Sequence, residues 1–399
     1  MTNASDSIRL PLGFQTSSRA CGIRGDVGRL DLALFYSEVP AVAAGVFTTN
    51  AVNGAPVKVC RERLPRSTAR AVIINAGNAN ACTGTQGIKD AKEMTVSLAA
   101  QIGCPPDDVL VCSTGVIGRF LPLSKITTNI PELWSNRGGS PDHLANTAQA
   151  IMTTDTVPKV VTREVPINGK TVTITGVCKG AAMIAPNMAT MLCVIMTDAA
   201  VNEETVQSLM TEIANNSFNS ITVEGHTSTS DSMILLANGQ SGASLSDSVE
   251  LKDALQAVAS ELAQKIIRDA EGAGHFVTIN ITGAYDSDHA NLLGKTIAND
   301  ALVKTAITGN DPNWGRIVSA CGRTGNNLTE NDILSLSINN LTIFAQGAPT
   351  SEDLSKVSAA MKTGEVVIDL KMSLGSGQAT IWTCDLTQEY VRLNADYTT

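Results

Sequence analysis

The sequence has little of what marks membrane proteins or nucleic-acid-binding proteins. Aromatic residues make up only 4% of its 399 residues, and no apolar run approaches the roughly 20 residues that a membrane-spanning helix needs. The net charge is −9, and the basic residues form no cluster of the kind that neutralises phosphates. We therefore expect neither a membrane nor a nucleic acid as a partner.

Metal-binding and disulfide patterns are also missing. The nine cysteines contain no CxxC pair and the four histidines share no metal-ligand spacing, so we expect reduced, mostly buried thiols, no metal site and no cofactor. Residues 1–9 carry neither the apolar core of a signal peptide nor an arginine-rich amphipathic pattern. The expected location is the cytoplasm.

What the chain does contain is a globular composition, with 43% hydrophobic and 17% charged residues over a length that suits two or three domains or lobes. Short apolar runs alternate with helical patterns. The predicted strands include 32–36, 41–48, 56–60, 71–75, 109–112, 191–196 and 276–281, and the predicted helices include 88–102, 123–136, 143–152, 203–216, a strongly amphipathic one after residue 247, and 290–307.

Residues 178–193 fit no regular element well. They lie between two strand-like runs and contain Lys179, Pro186 and one isolated hydroxyl, Thr190, which opens an apolar strand. Pro186 fixes its own φ and favours an extended residue before it, which interrupts any regular structure. Our hypothesis is that Thr190 is the reactive centre.

Four other positions can each be interpreted in two ways. Thr114 and Gly115 follow a strand and either expose amides for an oxyanion or make an ordinary turn. Cys82 is either a nucleophile or, as we prefer, a small packing residue in a tight turn. The polar run 153–156 either binds a substrate or, as we predict, caps the preceding helix. Glu271 follows a helix end, where an acidic group is unfavourable, so it is either solvated or retained for a purpose.

Taken together, these segments resemble the ornithine acetyltransferase family of arginine biosynthesis, also called glutamate N-acetyltransferases. The resemblance extends from end to end of the chain. One departure is His226, where many members carry Asp. The matching blocks are 44–50, 77–84, 113–118, 153–156, 179–192 (which contains Met-Ala-Thr-Met-Leu), 227–229 and 311–316 (Asp-Pro-Asn-Trp-Gly-Arg).

The resemblance implies a fold of mixed α and β type, an N-terminal-nucleophile-like sandwich of helix-covered β-sheets in two lobes. It also implies self-cleavage between Ala189 and Thr190, which gives an alpha chain 1–189 and a beta chain 190–399 that stay associated as a dimer of heterodimers. It assigns the oxyanion hole to Thr114 and Gly115. The substrate contacts that it implies are Thr153, Lys179, Thr190, Glu271, Asn394 and Thr399.

The activity that the resemblance implies is transfer of an acetyl group from N2-acetylornithine to glutamate through acetyl-Thr190, in two ping-pong steps. A chain that begins with Thr carries its own base in its α-amino group, so self-cleavage would create that base. An amidohydrolase or aminopeptidase with the same nucleophile is the alternative, and a binding protein without activity is another. The residues leave open whether acetyl-CoA also serves as donor, which acceptor is physiological, and how the enzyme is regulated.

Overall fold

The computed structural model describes residues 8–26, 28–167, 169–184, 191–244, 249–325 and 328–396. These residues form two compact units. The first takes in the chain up to Asn219 together with Thr227–Ile266, and the second takes in Ser220–His226 together with the described residues from Ile267 onward. This division differs from the two fragments expected from self-cleavage and does not test them.

The first unit is built on a mixed sheet of eight strands. The strands are β1 (Phe14–Arg19), β2 (Leu32–Phe47), β3 (Arg66–Asn78), β4 (Val109–Val116), β5 (Lys159–Ile167), β6 (Lys170–Lys179), β7 (Leu192–Thr197) and β8 (Ser232–Ala237). Their order is β4-β3-β2-β8-β7-β6-β5, and β1 pairs with β2.

The central strands of this sheet are continuous apolar runs. Every residue of β7 and of β8 is buried, as expected for strands that are covered on both faces. Strand β7 runs antiparallel to β6, with Lys179 opposite Leu192, and parallel to β8, with Leu192 opposite Ser232. The register therefore places the last residue of β6 and the first residues of β7 and β8 side by side.

Six helices belong to the first unit. They are α1 (Ala55–Arg63), α2 (Gly84–Ile102), α3 (Leu123–Ser135), α4 (Pro141–Ala150), α5 (Glu203–Asn215) and α6 (Val249–Arg268). The predicted apolar stripe of α6 is fully buried, from Leu251 to Ile266. The strand predicted at 56–60 is wrong, because Pro56 stands in the first turn of α1, where its fixed φ and missing N–H favour a helix.

The second unit has a sheet of six strands in the order β12-β11-β10-β13-β9-β14, formed by β9 (Phe276–Ala284), β10 (Ile333–Ile338), β11 (Leu341–Ala345), β12 (Ala348–Pro349), β13 (Glu365–Met372) and β14 (Gly377–Cys384). Its helices are α7 (Ser287–Ala298), α8 (Ala301–Thr308), α9 (Trp314–Gly322), α10 (Leu354–Met361) and α11 (Gln388–Asp396). Short 3-10 helices span Pro106–Asp108, Phe218–Ser220 and Glu330–Asp332.

The single helix predicted at 290–307 is two helices. Asp300 interrupts it, because its carboxylate accepts hydrogen bonds from the backbone amides of Leu302 and Val303, at 2.9 and 3.0 Å, and so starts a new helix.

The expected fold class, mixed α and β with helix-covered sheets in two lobes, is confirmed. All nine cysteines are free thiols and six of them are buried. No helix within the described ranges is long and apolar enough to cross a membrane.

Close packing in the second unit predicts a contrast between two glycine substitutions. A Cβ added at Gly377, the first residue of β14, would lie 2.0 Å from the backbone oxygen of Asp286, which caps α7. We expect Gly377→Ala to lower the free energy of unfolding by about 2–3 kcal/mol, as overpacking does. A Cβ at Gly322 in α9 meets no atom within 4 Å. Gly322→Ala should therefore be neutral or stabilising by up to ~1 kcal/mol, and thermal unfolding of both variants and wild type measures the two effects. Equal effects of the two changes would contradict this packing.

Candidate active site

The end of β4 holds the two residues expected to form an oxyanion hole. Thr114 is 8% exposed, and Gly115 has a φ of +126°, which side-chain-bearing residues rarely adopt. Gly115 is paired with Gly77 of β3, and a Cβ added at Gly115 would lie 2.4 Å from the carbonyl carbon of Gly77. The backbone at this point is therefore open only to glycine. The role of these residues towards an oxyanion stays a prediction.

Lys179, the last residue of β6, meets Thr114. Its side chain is buried at 5% exposure, and its Nζ donates a hydrogen bond to Thr114 Oγ1 at 3.4 Å. The two residues are 65 positions apart in sequence, so the sheet brings together two of the residues that the resemblance singles out. A buried amine beside a hydroxyl can bind an anionic or carbonyl oxygen that approaches both groups.

Asp155 connects this pair to Thr153. One carboxylate oxygen, Oδ1, accepts hydrogen bonds from Lys159 Nζ at 2.7 Å and from the Gly180 amide at 2.6 Å. The other, Oδ2, accepts one from the Thr153 amide at 2.9 Å. The prediction that 153–156 caps a helix is wrong, because α4 ends before this run, with Ile151 as its cap. Asp155 instead connects two segments of the chain, the half-buried Thr153 and Gly180, which follows Lys179.

The Asp155–Lys159 ion pair is a feature that the sequence analysis missed. Both side chains are almost completely buried, at 0% and 1% exposure. The sequence does contain a signal, an acidic and a basic residue four positions apart before an apolar strand. That spacing is common on exposed helix surfaces, and nothing local indicates that this pair leaves water.

The charges in this cluster shift one another's pKa values. Burial raises the pKa of Asp155, but Lys179, Lys159 and the Gly180 amide outweigh it and lower that pKa to about 2. Burial lowers the pKa of Lys179; Asp155 opposes this shift, while Lys159 and Arg24 add to it. Asp155 is thus a permanent anion at neutral pH, and Lys179 loses its proton more easily than an ordinary lysine.

The second unit brings together Glu271 and Asn394. Glu271 lies in the turn after α6 and is half-buried, and its Oε2 accepts a hydrogen bond of 3.0 Å from Asn394 Nδ2 on α11. The same turn is tied to the start of α11, because Thr387 Oγ1 donates to the Gly272 carbonyl at 2.5 Å. Glu271 therefore has a defined partner, contributed by a tail that resembles a frayed terminus in sequence.

Three expected site residues, Ala189, Thr190 and Thr399, lie outside the described residues. Cys82 is exposed, in a left-handed backbone conformation with a φ of +58°, which suits a residue in a tight turn. His226 is exposed as well, in the second unit. The structure thus supplies two separate sets of residues, one around Lys179 and one around Glu271.

Comparison with known proteins places the chain. The family model described as "ArgJ family" matches residues 15–399 of the chain. The chain belongs to the ArgJ family. The expected family and the expected class of enzyme, an acyltransferase of arginine biosynthesis, are thereby confirmed.

Individual ArgJ relatives are similar over almost their whole length. The "Arginine biosynthesis bifunctional protein ArgJ" of Rhodopirellula baltica is 44% identical over 397 residues, which cover 98% of this chain and 96% of the relative. That of Dehalococcoides mccartyi is 43% identical, covering 98% of this chain and 97% of the relative. A crystal structure of a Bacillus halodurans ArgJ is 39% identical, covers 47% of this chain and 95% of its own, and has a TM-score of 0.44.

The buried ion pair predicts a pH-dependent stability. Asp155→Asn leaves the Lys159 ammonium buried without its counter-ion, and we expect a loss of about 3–5 kcal/mol at neutral pH. The folded-state pKa of Asp155 is about 2, below its ordinary 3.8, so its contribution is complete above about 4 and is lost as pH falls towards 2. The stability difference between wild type and variant, measured by denaturant unfolding, should shrink across that interval.

An exposed ion pair provides the control. Glu212 Oε2 and Lys252 Nζ are 2.9 Å apart, and their side chains are 52% and 45% exposed. Glu212→Gln should change the stability by less than ~1 kcal/mol at every pH. If both variants lost the same stability, burial would not be the cause.

Proposed function

We propose that this ArgJ chain transfers the acetyl group of N2-acetyl-L-ornithine to L-glutamate through an acetyl ester on Thr190. The observation that carries the proposal is the hydrogen bond from the buried Lys179 ammonium to Thr114, beside a Gly115 backbone that only glycine can adopt. In a member of the ArgJ family, this arrangement suits a site that stabilises negative charge on a carbonyl oxygen.

Self-cleavage first has to release the α-amino group that activates the Thr190 hydroxyl. In the precursor, Thr190 Oγ attacks the carbonyl carbon of Ala189, the peptide C–N bond breaks and an ester forms. Water then hydrolyses the ester, which leaves a carboxylate on Ala189 and a free α-amino group on Thr190. The products are the fragments 1–189 and 190–399, which stay associated, and we propose that two such pairs form the working heterotetramer.

Acetyl transfer then uses the new amino group as its base. The α-amino group takes the proton of Thr190 Oγ as that oxygen attacks the acetyl carbon, while Thr114 and Gly115 donate to the oxyanion. Ornithine leaves with the proton, and the amine of glutamate attacks the ester to give N-acetylglutamate. The bifunctional name of the relatives favours a second acetyl donor, for which we propose acetyl-CoA.

The remaining residues bind the substrates. Lys179 is suited to a substrate carboxylate or to the developing oxyanion, and Thr153 is fixed close by through Asp155. Glu271, with its Asn394 partner, offers a carboxylate to the ornithine side-chain ammonium. The carboxylate of Thr399 is proposed to assist it. In this proposal the carboxylate of N2-acetylornithine faces Lys179 and its side-chain ammonium faces Glu271.

Self-cleavage can be tested on a denaturing gel with N-terminal sequencing. Wild type should give two bands, one beginning Thr-Met-Leu-Cys, and Thr190→Ala should stay uncut and inactive because it has no hydroxyl. Thr171→Ala, at an exposed position of β6, should be cut and active like wild type. A wild-type enzyme that remains one band of 41.7 kDa would contradict the mechanism. Acetate released without N-acetylglutamate would instead favour an amidohydrolase.

The role of Glu271 can be tested in the first half-reaction. Glu271→Gln removes the charge that faces the ornithine ammonium, and we expect kcat/KM for N2-acetylornithine to fall about tenfold to a hundredfold, as for the loss of a charged hydrogen bond. Glu389→Gln breaks an exposed ion pair with Arg392 on α11 and should have no such effect. Release of ornithine is the readout. An unchanged kcat/KM for Glu271→Gln would remove this residue from the site.

A further inference from the structure

The first unit contains a buried carboxyl group that the mechanism above leaves unused. Asp231 is 1% exposed, and neither of its oxygens has a hydrogen-bond partner among the described residues. Asp155 and Asp198, two other buried aspartates of this unit, accept three and two hydrogen bonds. A buried carboxyl without partners is costly, so its presence calls for a group that it binds.

Asp231 lies beside the start of β7. It directly precedes β8, whose first residue, Ser232, donates its amide to the Met191 carbonyl at 3.0 Å. The carbonyl of Asp231 itself is held by the Thr48 amide at 3.1 Å. The Met191 amide also acts on the Asp231 carboxyl group, so Asp231 lies beside the residue that follows Thr190 in sequence.

Lys179 does not satisfy this carboxyl group. The two residues influence each other electrostatically, but Lys179 donates its hydrogen bond to Thr114, and Asp155 affects its pKa more than Asp231 does. The Met191 amide and the hydroxyls of Thr48 and Ser228 lie near enough to Asp231 to lower its pKa, but none of them reaches its carboxyl oxygens with the distance and angle of a hydrogen bond. Among the residues that the structure describes, Asp231 therefore has no donor in hydrogen-bond geometry.

We propose that Asp231 is a positioning residue that binds the α-amino group of Thr190 once the chain is cut. This inference rests on the proposed cleavage, which turns a peptide nitrogen into an amine with a charge to balance. The carboxylate would orient the amine towards Thr190 Oγ and stabilise the ammonium that forms when the amine takes the hydroxyl proton. The proton then leaves with ornithine, as described above. The relation resembles that of the aspartate and histidine in a serine protease triad.

The electrostatics of the site agree with this role. Burial raises the pKa of Asp231 well above its ordinary range, against smaller effects of the Met191 amide, the Thr48 hydroxyl and the Lys179 charge. Lys179 is itself influenced by Asp155, Lys159 and Arg24. A buried ammonium beside Asp231 would restore the carboxylate form, and the carboxylate would in turn raise the pKa of the amine.

The test compares Asp231→Asn with wild type in three measurements. The variant should still be cut into two fragments, because the amine does not exist before cleavage. Its kcat for acetyl transfer should fall about 10²-fold to 10⁴-fold with little change in KM, as for a disturbed base. Its acid limb in the pH profile of kcat/KM should move to lower pH by about one unit or more, because the amine loses the charge that raised its pKa.

Asp231→Glu should restore part of the activity and shift the acid limb back. Asp198→Asn provides a matched control, a buried aspartate at the other end of β7, and it should leave the acid limb unchanged even if the protein is less stable.

Wild-type kcat and an unmoved limb in Asp231→Asn would overturn the inference. So would a rise in KM alone, which would make Asp231 a substrate ligand, or an uncut variant beside a cut wild type. An uncut wild type would refute the cleavage itself.

Discussion

The ion pair between Asp155 and Lys159 is the interaction on which the first unit's site depends. Burying an ammonium and a carboxylate together is expensive unless further hydrogen bonds satisfy them. Here the Thr153 and Gly180 amides donate to the carboxylate of Asp155, and the Val157 carbonyl accepts from the ammonium of Lys159. Because Gly180 follows Lys179, the same carboxylate fixes the end of β6. The carboxylate that pairs with Lys159 thus also holds the backbone next to Lys179, whose side chain reaches Thr114.

This arrangement also explains how Lys179, which forms no ion pair among the described residues, is tolerated in the interior. Burial favours the neutral amine, the nearby Asp155 favours the ammonium, and the neighbouring cations Lys159 and Arg24 oppose a full charge. The outcome is an ammonium whose proton is held less tightly than in water. Such a group binds an oxygen that becomes negative more strongly than one that stays neutral, which is the requirement for stabilising a transition state.

The second unit holds the carboxylate of Glu271 in a defined position. A turn that follows α6 and a helix at the C-terminal end of the chain are joined through Gly272, Thr387, Glu271 and Asn394. A carboxylate held by an amide keeps its charge and most of its hydrogen-bonding capacity, so it remains available to a ligand cation.

The sequence by itself determined the family, the fold class, the reactive threonine as a hypothesis and most regular elements, because contiguous motifs and apolar periodicity are local properties. The stripe of α6 and the buried strand β7 are examples. Only the tertiary structure decided that residues 56–60 are helical, that Asp155 pairs with Lys159 out of water, and that the buried Asp231 carboxyl has no hydrogen-bond partner in the part of the chain that the structure describes. The physical reason is that burial and hydrogen-bond satisfaction depend on residues distant in sequence, which no local pattern records.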